Sequence, residues 1–177
     1  VDNIALSSSL ITGTTNLDSE FFIAHEMAHS WFGNLVTCAS AGDMWLNEGF
    51  ATFCNNYYLS AIYGEEAFVG AISELTDDII TSCHNSEGWI PLNDMPLDLT
   101  YGTTVYDKGA VVVNTMMNYL GRETFDEAIK YYLDKFSYKS ASSEDLRDAV
   151  AESSDVDMND FFDTWVFNAG SPVYTVQ

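Results

Sequence analysis

The first 107 residues of this 177-residue chain contain no lysine and no arginine. Fifteen acidic residues lie in that stretch, all six basic residues fall at or after Lys108, and the formal net charge is −21. A surface of this kind argues against nucleic acid as a partner, because phosphate binding needs basic groups. It argues against an anionic membrane surface for the same reason. No run of about 18 apolar residues is present, so no membrane-inserting helix is expected in this segment. Cysteine is also sparse. Cys38, Cys54 and Cys83 are too few and too scattered for a disulfide framework or a cysteine-based zinc site. Cys38 and Cys54 read as small core fillers. The opening VDNIALSSSL lacks both a basic n-region and an initiator Met, so the chain is expected to be a piece of a larger protein rather than to begin with a signal peptide.

What is present is enough for one folded unit. Hydrophobic residues make up 47% of the chain and aromatics 14%, which suits a single packed core over residues 1–177. The pattern is mainly helical. Asp18 is placed to cap a helix running to about Phe32, stopped by Gly33-Asn34. A second helix is expected from near Asp43 to Gly64, and a third from Glu65 to about Ser82. Residues 84–104 hold two of the three prolines and read as a long irregular segment. Helices are expected again from about Tyr106 to Leu120 and through RETFDEAIKYYLDKF, with Phe125, Ile129, Tyr132, Leu133 and Phe136 on one face. Ser142 and Asp145 fit a capping box for the next helix, and DMNDFFDTWVFNAG reads as the last. Strand character is expected only at the two ends, in IALSSSLI and PVYTVQ.

One stretch carries chemistry. HEMAHSWFGN, from His25 to Asn34, puts two of the three histidines four residues apart. On a helix that spacing aims both imidazoles at one point, as two metal ligands require. Glu26 lies about 100° round the helix, within reach of a metal-bound water but poorly placed to ligate. Zinc needs a third protein ligand and an open position. WLNEGFA supplies Glu48, separated from His29 by eighteen intervening residues, on a face that otherwise reads as buried. His84 opens the polar segment and is expected to be exposed and uninvolved. Asp43 and Asn55 are candidates to hold the metal-bound imidazoles in place.

HEMAHSWFGN followed by WLNEGFA resembles the gluzincin zinc aminopeptidases typified by aminopeptidase N and the leukotriene hydrolase/aminopeptidase. VYDKGA, residues 105–110, is similar to that family's later motif, and the resemblance maps its catalytic tyrosine onto Tyr106. VDN at residues 1–3 stands where the family has its Gly-Ala-Met-Glu-Asn signature, so Asp2 takes the place of the glutamate that grips the substrate's free amine. Asn55 stands where many members carry a glutamate. The resemblance implies the α-helical part of a thermolysin-like zinc peptidase catalytic domain. It further implies that an upstream β lobe and a downstream β-sandwich lie outside this segment and that the helical part would pack against them in a parent protein. It implies one zinc ion on His25, His29 and Glu48, Glu26 as general base, Tyr106 as a donor to the developing oxyanion, and peptides with a free amino terminus as substrates. Two other readings stay open. One is a zinc-binding structural fragment without activity when isolated; the other is a hydrolase for a non-peptide substrate. The acidic first half is either a solvated surface or a field that draws cationic substrates.

Overall fold

The computed structural model describes residues 17–170. They form helices α1 (Leu17–Ala28), α2 (Trp45–Tyr63), α3 (Glu65–Asp78), α4 (His84–Ser86), α5 (Gly109–Leu120), α6 (Arg122–Lys135), α7 (Ser143–Ser154) and α8 (Asn159–Phe162). The mainly helical expectation therefore holds. Both end segments expected to be extended lie outside the described residues. Within them the structure has two short strands, β1 (Val36–Cys38) and β2 (Lys139–Ala141). They pair in parallel, Val36 opposite Lys139 and Cys38 opposite Ala141. Three-residue strands carry too little alternation to be read from sequence, and β1 lies in what reads as loop.

Helix α2 is the axis of the molecule. Trp45, Leu46, Phe50, Ala51 and Phe53 are all buried, so the helix is apolar on more than one side, as a central helix is. It packs on α1, α3 and α5. Its start is pinned twice by polar groups. Asn47 Oδ1 accepts the Cys38 N–H at 3.0 Å, tying α2 to β1. Buried Asp43 accepts the Ser143 N–H at 3.1 Å and its hydroxyl at 2.7 Å, and Ser143 Oγ in turn accepts the Trp45 indole N–H at 2.9 Å. Asp43 is thus a tie between α2 and α7 and not a partner of the histidines. The capping box on α7 is present as expected, with Ser142 and Asp145 serving each other's backbone N–H. Phe125, Ile129 and Tyr132 bury on α6.

Several boundaries differ from the sequence expectation. Asp18 falls inside α1, which is already helical at Leu17. The chain does not stop at Ser82; a π turn over Ile79–Cys83 carries it on into α4. A second π turn, Thr104–Lys108, leads into α5, and a third, Asp163–Phe167, follows α8. The irregular stretch between α4 and α5 is fixed by its apolar residues: Leu92 and Met95 are buried, and the Leu92 N–H donates to the Val166 carbonyl at 2.9 Å.

One contact sets the site. A Cβ on Gly49 would lie 2.9 Å from the Gly109 Cα, and one on Gly109 would lie 2.9 Å from the Gly49 Cα. The backbones of α2 and α5 therefore touch, which brings the turn before α5 against the start of α2. Backbone cannot yield as a flexible side chain can. Gly49→Ala is expected to destabilise by about 1–3 kcal/mol through overpacking, even though alanine favours helix. Gly70 in α3 has open space around a Cβ, and Gly70→Ala should instead stabilise by roughly 0.5–1 kcal/mol. Urea midpoints of the two variants test the difference; midpoints moving the same way would contradict it.

Candidate metal centre

Among the described residues, one group of histidine, cysteine and acidic side chains converges closely enough to hold a metal: His25, His29 and Glu48. His25 Nε2 and His29 Nε2 are 3.1 Å apart, and each lies 3.3 Å from Glu48 Oε2. A tetrahedral zinc ion at ~2.0–2.1 Å from each donor would hold neighbouring donors ~3.3–3.4 Å apart. The triangle of donors fits that ion in size and in chemistry. Burial works to raise the Glu48 carboxyl, but the two imidazoles against it prevail and hold it at about 2. The Glu48 carboxylate raises His29 above its ordinary value, against the effect of burial.

The local chain explains the orientation of His29. Its Nδ1–H donates to the Phe32 carbonyl at 2.9 Å, which fixes the tautomer and leaves Nε2 with its lone pair toward the triangle. Phe32 reaches that place because the backbone turns sharply after α1, with Gly33 at φ +136°. A side chain at Gly33 would be strained there by the backbone conformation, although a Cβ would meet His29 Nδ1 only at an ordinary contact distance of 3.5 Å. Asn55 is buried beside His25, with an amide atom 3.4 Å from His25 Nδ1. That atom is best read as the NH2, because the Thr52 and Ala51 carbonyls lie at 2.8 and 3.0 Å. Asn55 therefore packs on the ring while anchoring to its own helix.

Tyr106 stands over the triangle. Its ring stacks on His25 with centroids 6.0 Å apart and planes 16° apart. Burial pushes its phenol well above the ordinary tyrosine value, and the charges of Glu48 and Glu26 push it the same way. The turn that carries it is held from below, since the Glu87 carboxylate accepts the N–H groups of Thr103 and Thr104 at 2.5 and 2.8 Å. A Cβ on Gly102 would meet that carboxylate at 2.6 Å. A π turn is a common device for aiming a functional side chain.

A cleft of about 860 Å³ opens on the triangle, lined by Glu26, Tyr106 and faces of α1, α2 and α3. Five of the six residues singled out as site residues thus share one cleft. Asp2 lies outside the described residues. His84 is not exposed in a loop. It is half-buried at the start of α4 and stacks on Trp89 at 3.9 Å, away from the triangle. Thr52, Asn56, Glu74 and Asp107, which also line the cleft, were not picked out from sequence. For Thr52 and Asn56 a signal existed: they lie four and eight residues after Glu48, on the same helix face.

A model of the Peptidase family M1 domain matches residues 2–165. The chain belongs to peptidase family M1. It is 35% identical over 157 residues to Aminopeptidase M1-B of Oryza sativa subsp. japonica, a match covering 85% of this chain and 18% of the relative. Identity is also 35% to Aminopeptidase 2, mitochondrial, of Saccharomyces cerevisiae, over 160 residues, 87% of this chain and 17% of that protein. Among solved structures, yeast LTA4 hydrolase in complex with Bestatin aligns with a TM-score of 0.72 and 28% identity, covering 89% of this chain and 27% of that one. The M1 zinc metallopeptidase of Deinococcus radiodurans aligns with a TM-score of 0.75 and 22% identity, covering 84% and 33%. The M1 chain described here spans less than a quarter of the length of those aminopeptidases.

Proposed function

We propose that this chain is the zinc-binding helical part of an aminopeptidase catalytic domain. It would complete its domain with an upstream β lobe and be followed by a β-sandwich. His25, His29 and Glu48 would hold the ion. The single observation that carries this reading is the 3.1–3.3 Å triangle of donors, sized for one tetrahedral ion.

When bound, zinc polarises a carbonyl and lowers the pKa of a coordinated water toward ~7. The remaining work falls to the chain's own groups. Glu26, one residue past His25 and on the cleft wall, takes a proton from the attacking water and returns it to the departing amine. Tyr106 donates its phenolic O–H to the carbonyl oxygen as negative charge gathers there. Asp2 would pair with the substrate's α-ammonium, which limits cleavage to the amino-terminal residue. Substrates are then peptides with a free amino terminus.

Elemental analysis of the full-length protein should find one zinc per chain. Glu48→Ala should lose the ion and with it hydrolysis of amino-acid anilides. Full zinc content in Glu48→Ala would refute the ligand assignment. Zinc at one equivalent in the 177-residue chain alone, without turnover of any anilide or peptide, would favour the structural-fragment reading for the isolated chain.

A further inference from the structure

The turn that carries Tyr106 is gripped at both ends by one short segment. Thr103 and Thr104 stand at its start, where backbone N–H groups have no carbonyl one turn back to receive them. The N–H groups of Val105 and Tyr106 find the Gly102 carbonyl at 3.0 and 3.3 Å. Those of Thr103 and Thr104 go instead to Glu87, one to each carboxylate oxygen, at 2.5 and 2.8 Å. The hydroxyl of buried Thr104 also lies 3.1 Å from Cys83 Sγ. At the far end of the turn, buried Lys108 donates from Nζ to the Ile90 carbonyl at 3.4 Å. Cys83, Glu87 and Ile90 thus hold Thr103, Thr104 and Lys108, with Tyr106 between them.

Glu87 is itself held in place. Its N–H donates to the Cys83 carbonyl at 2.9 Å. Its carboxylate fills a space that Gly102 leaves free, since a Cβ there would lie 2.6 Å from Oε1. Burial works to raise the carboxyl, but the hydrogen bonds from Thr104 and Thr103 prevail and hold it below the ordinary carboxylate range. It is therefore ionised at neutral pH, and an ionised carboxylate is a strong acceptor for the free N–H groups at a helical start. Tyr106 belongs to the same first turn. If the cap is lost, the turn frays and the phenol leaves its stack on His25.

We propose that Glu87 is a positioning residue for the reaction: it caps the turn Thr104–Lys108 from outside the cleft and so sets the Tyr106 phenol over the donor triangle. This inference rests on the aminopeptidase reading and deepens it. Glu87 is not among the residues lining the cleft, so it acts on the reaction only through the groups that it holds.

The test uses the full-length protein, with zinc content, kcat and KM measured on an alanine anilide. Glu87→Gln keeps the size of the side chain but turns an NH2 toward an N–H that needs an acceptor. It should lower kcat about tenfold with KM and zinc unchanged, because a displaced hydrogen-bond donor costs rate before it costs binding. Gly102→Ala reaches the same cap by another route, its Cβ pushing the carboxylate off the two N–H groups, and should lower kcat in the same way. The deciding measurement is a cycle with Tyr106→Phe. With the hydroxyl already gone, neither substitution should lower kcat further. A merely structural role would lower kcat by the same factor in both backgrounds. Equal factors in the two backgrounds, loss of zinc, or a parental kcat in both variants overturns the proposal. If Glu87→Gln does not fold, Gly102→Ala decides alone. Absence of all turnover by the parent would count against the aminopeptidase reading instead. Crystal structures of the parent and Gly102→Ala then decide the positioning claim: a Tyr106 ring displaced from His25 in the variant sustains it, and an unmoved ring overturns it.

Discussion

Glu26→Gln in the full-length protein is expected to keep one equivalent of zinc and to lose on the order of 10²–10⁴ in kcat. The substitution preserves shape and removes only the ability to take up a proton. Glu26 is no member of the donor triangle, which is closed by His25, His29 and Glu48. Yet it is close enough for its charge to raise both His29 and Tyr106. That position suits a base acting on a water held at the triangle, and it suits no ligand. KM should change little, because the lost interaction belongs to proton transfer and not to binding. Two measurements check the result together: metal content and steady-state rates on an alanine anilide. Undiminished kcat would remove Glu26 from the mechanism. Lost zinc would make it a ligand and redraw the site.

The two metal motifs were legible in the sequence because their chemistry is local. Four-residue spacing within one helix places His25 and His29 without any tertiary information, and the capping box of Ser142 and Asp145 is likewise a property of one turn. Glu48 was legible for a different reason: an acid among Leu46, Gly49 and Phe50 needs a partner when buried. What sequence did not convey arises between elements. The contact of Gly49 with Gly109 joins positions sixty residues apart, and each glycine alone reads as a weak spot in a helix. The parallel pairing of β1 and β2 spans a hundred residues with three-residue strands. The π turns have no residue signature, since the extra residue in the turn is decided by what the flanking helices pack against. Asp43 shows the opposite failure. Its place beside the metal motif suggested a role near the imidazoles, and its hydrogen bonds go to Ser143 instead.

The glycine contact also explains why motifs far apart in sequence act as one site. Glu48 precedes Gly49 by one residue, and Tyr106 precedes Gly109 by three. When the two backbones touch, the ligand and the phenol are carried to the same cleft by rigid helices, with no loop left to adjust their spacing. Helix-borne groups hold such geometry more closely than loop-borne ones.

Tyr106→Phe carries the second large effect, a loss of about 10²–10³ in kcat with zinc retained. The decisive part is the pH profile. Burial, the larger cause, pushes the Tyr106 phenol up, and the neighbouring carboxylates add to it. A cation at the triangle would offset the carboxylates and leave the burial. The group therefore remains protonated across the range in which a peptidase is assayed, and it can donate a hydrogen bond without titrating. The variant's rate should consequently be scaled down by one factor at every pH, with both limbs of the profile where they stand in the parent. The stack of Tyr106 on His25 survives in phenylalanine, so packing is a weak explanation for any loss. A shifted limb would assign Tyr106 a proton-transfer role and contradict the donor assignment; an unchanged rate would mean that charge on the carbonyl oxygen is stabilised elsewhere.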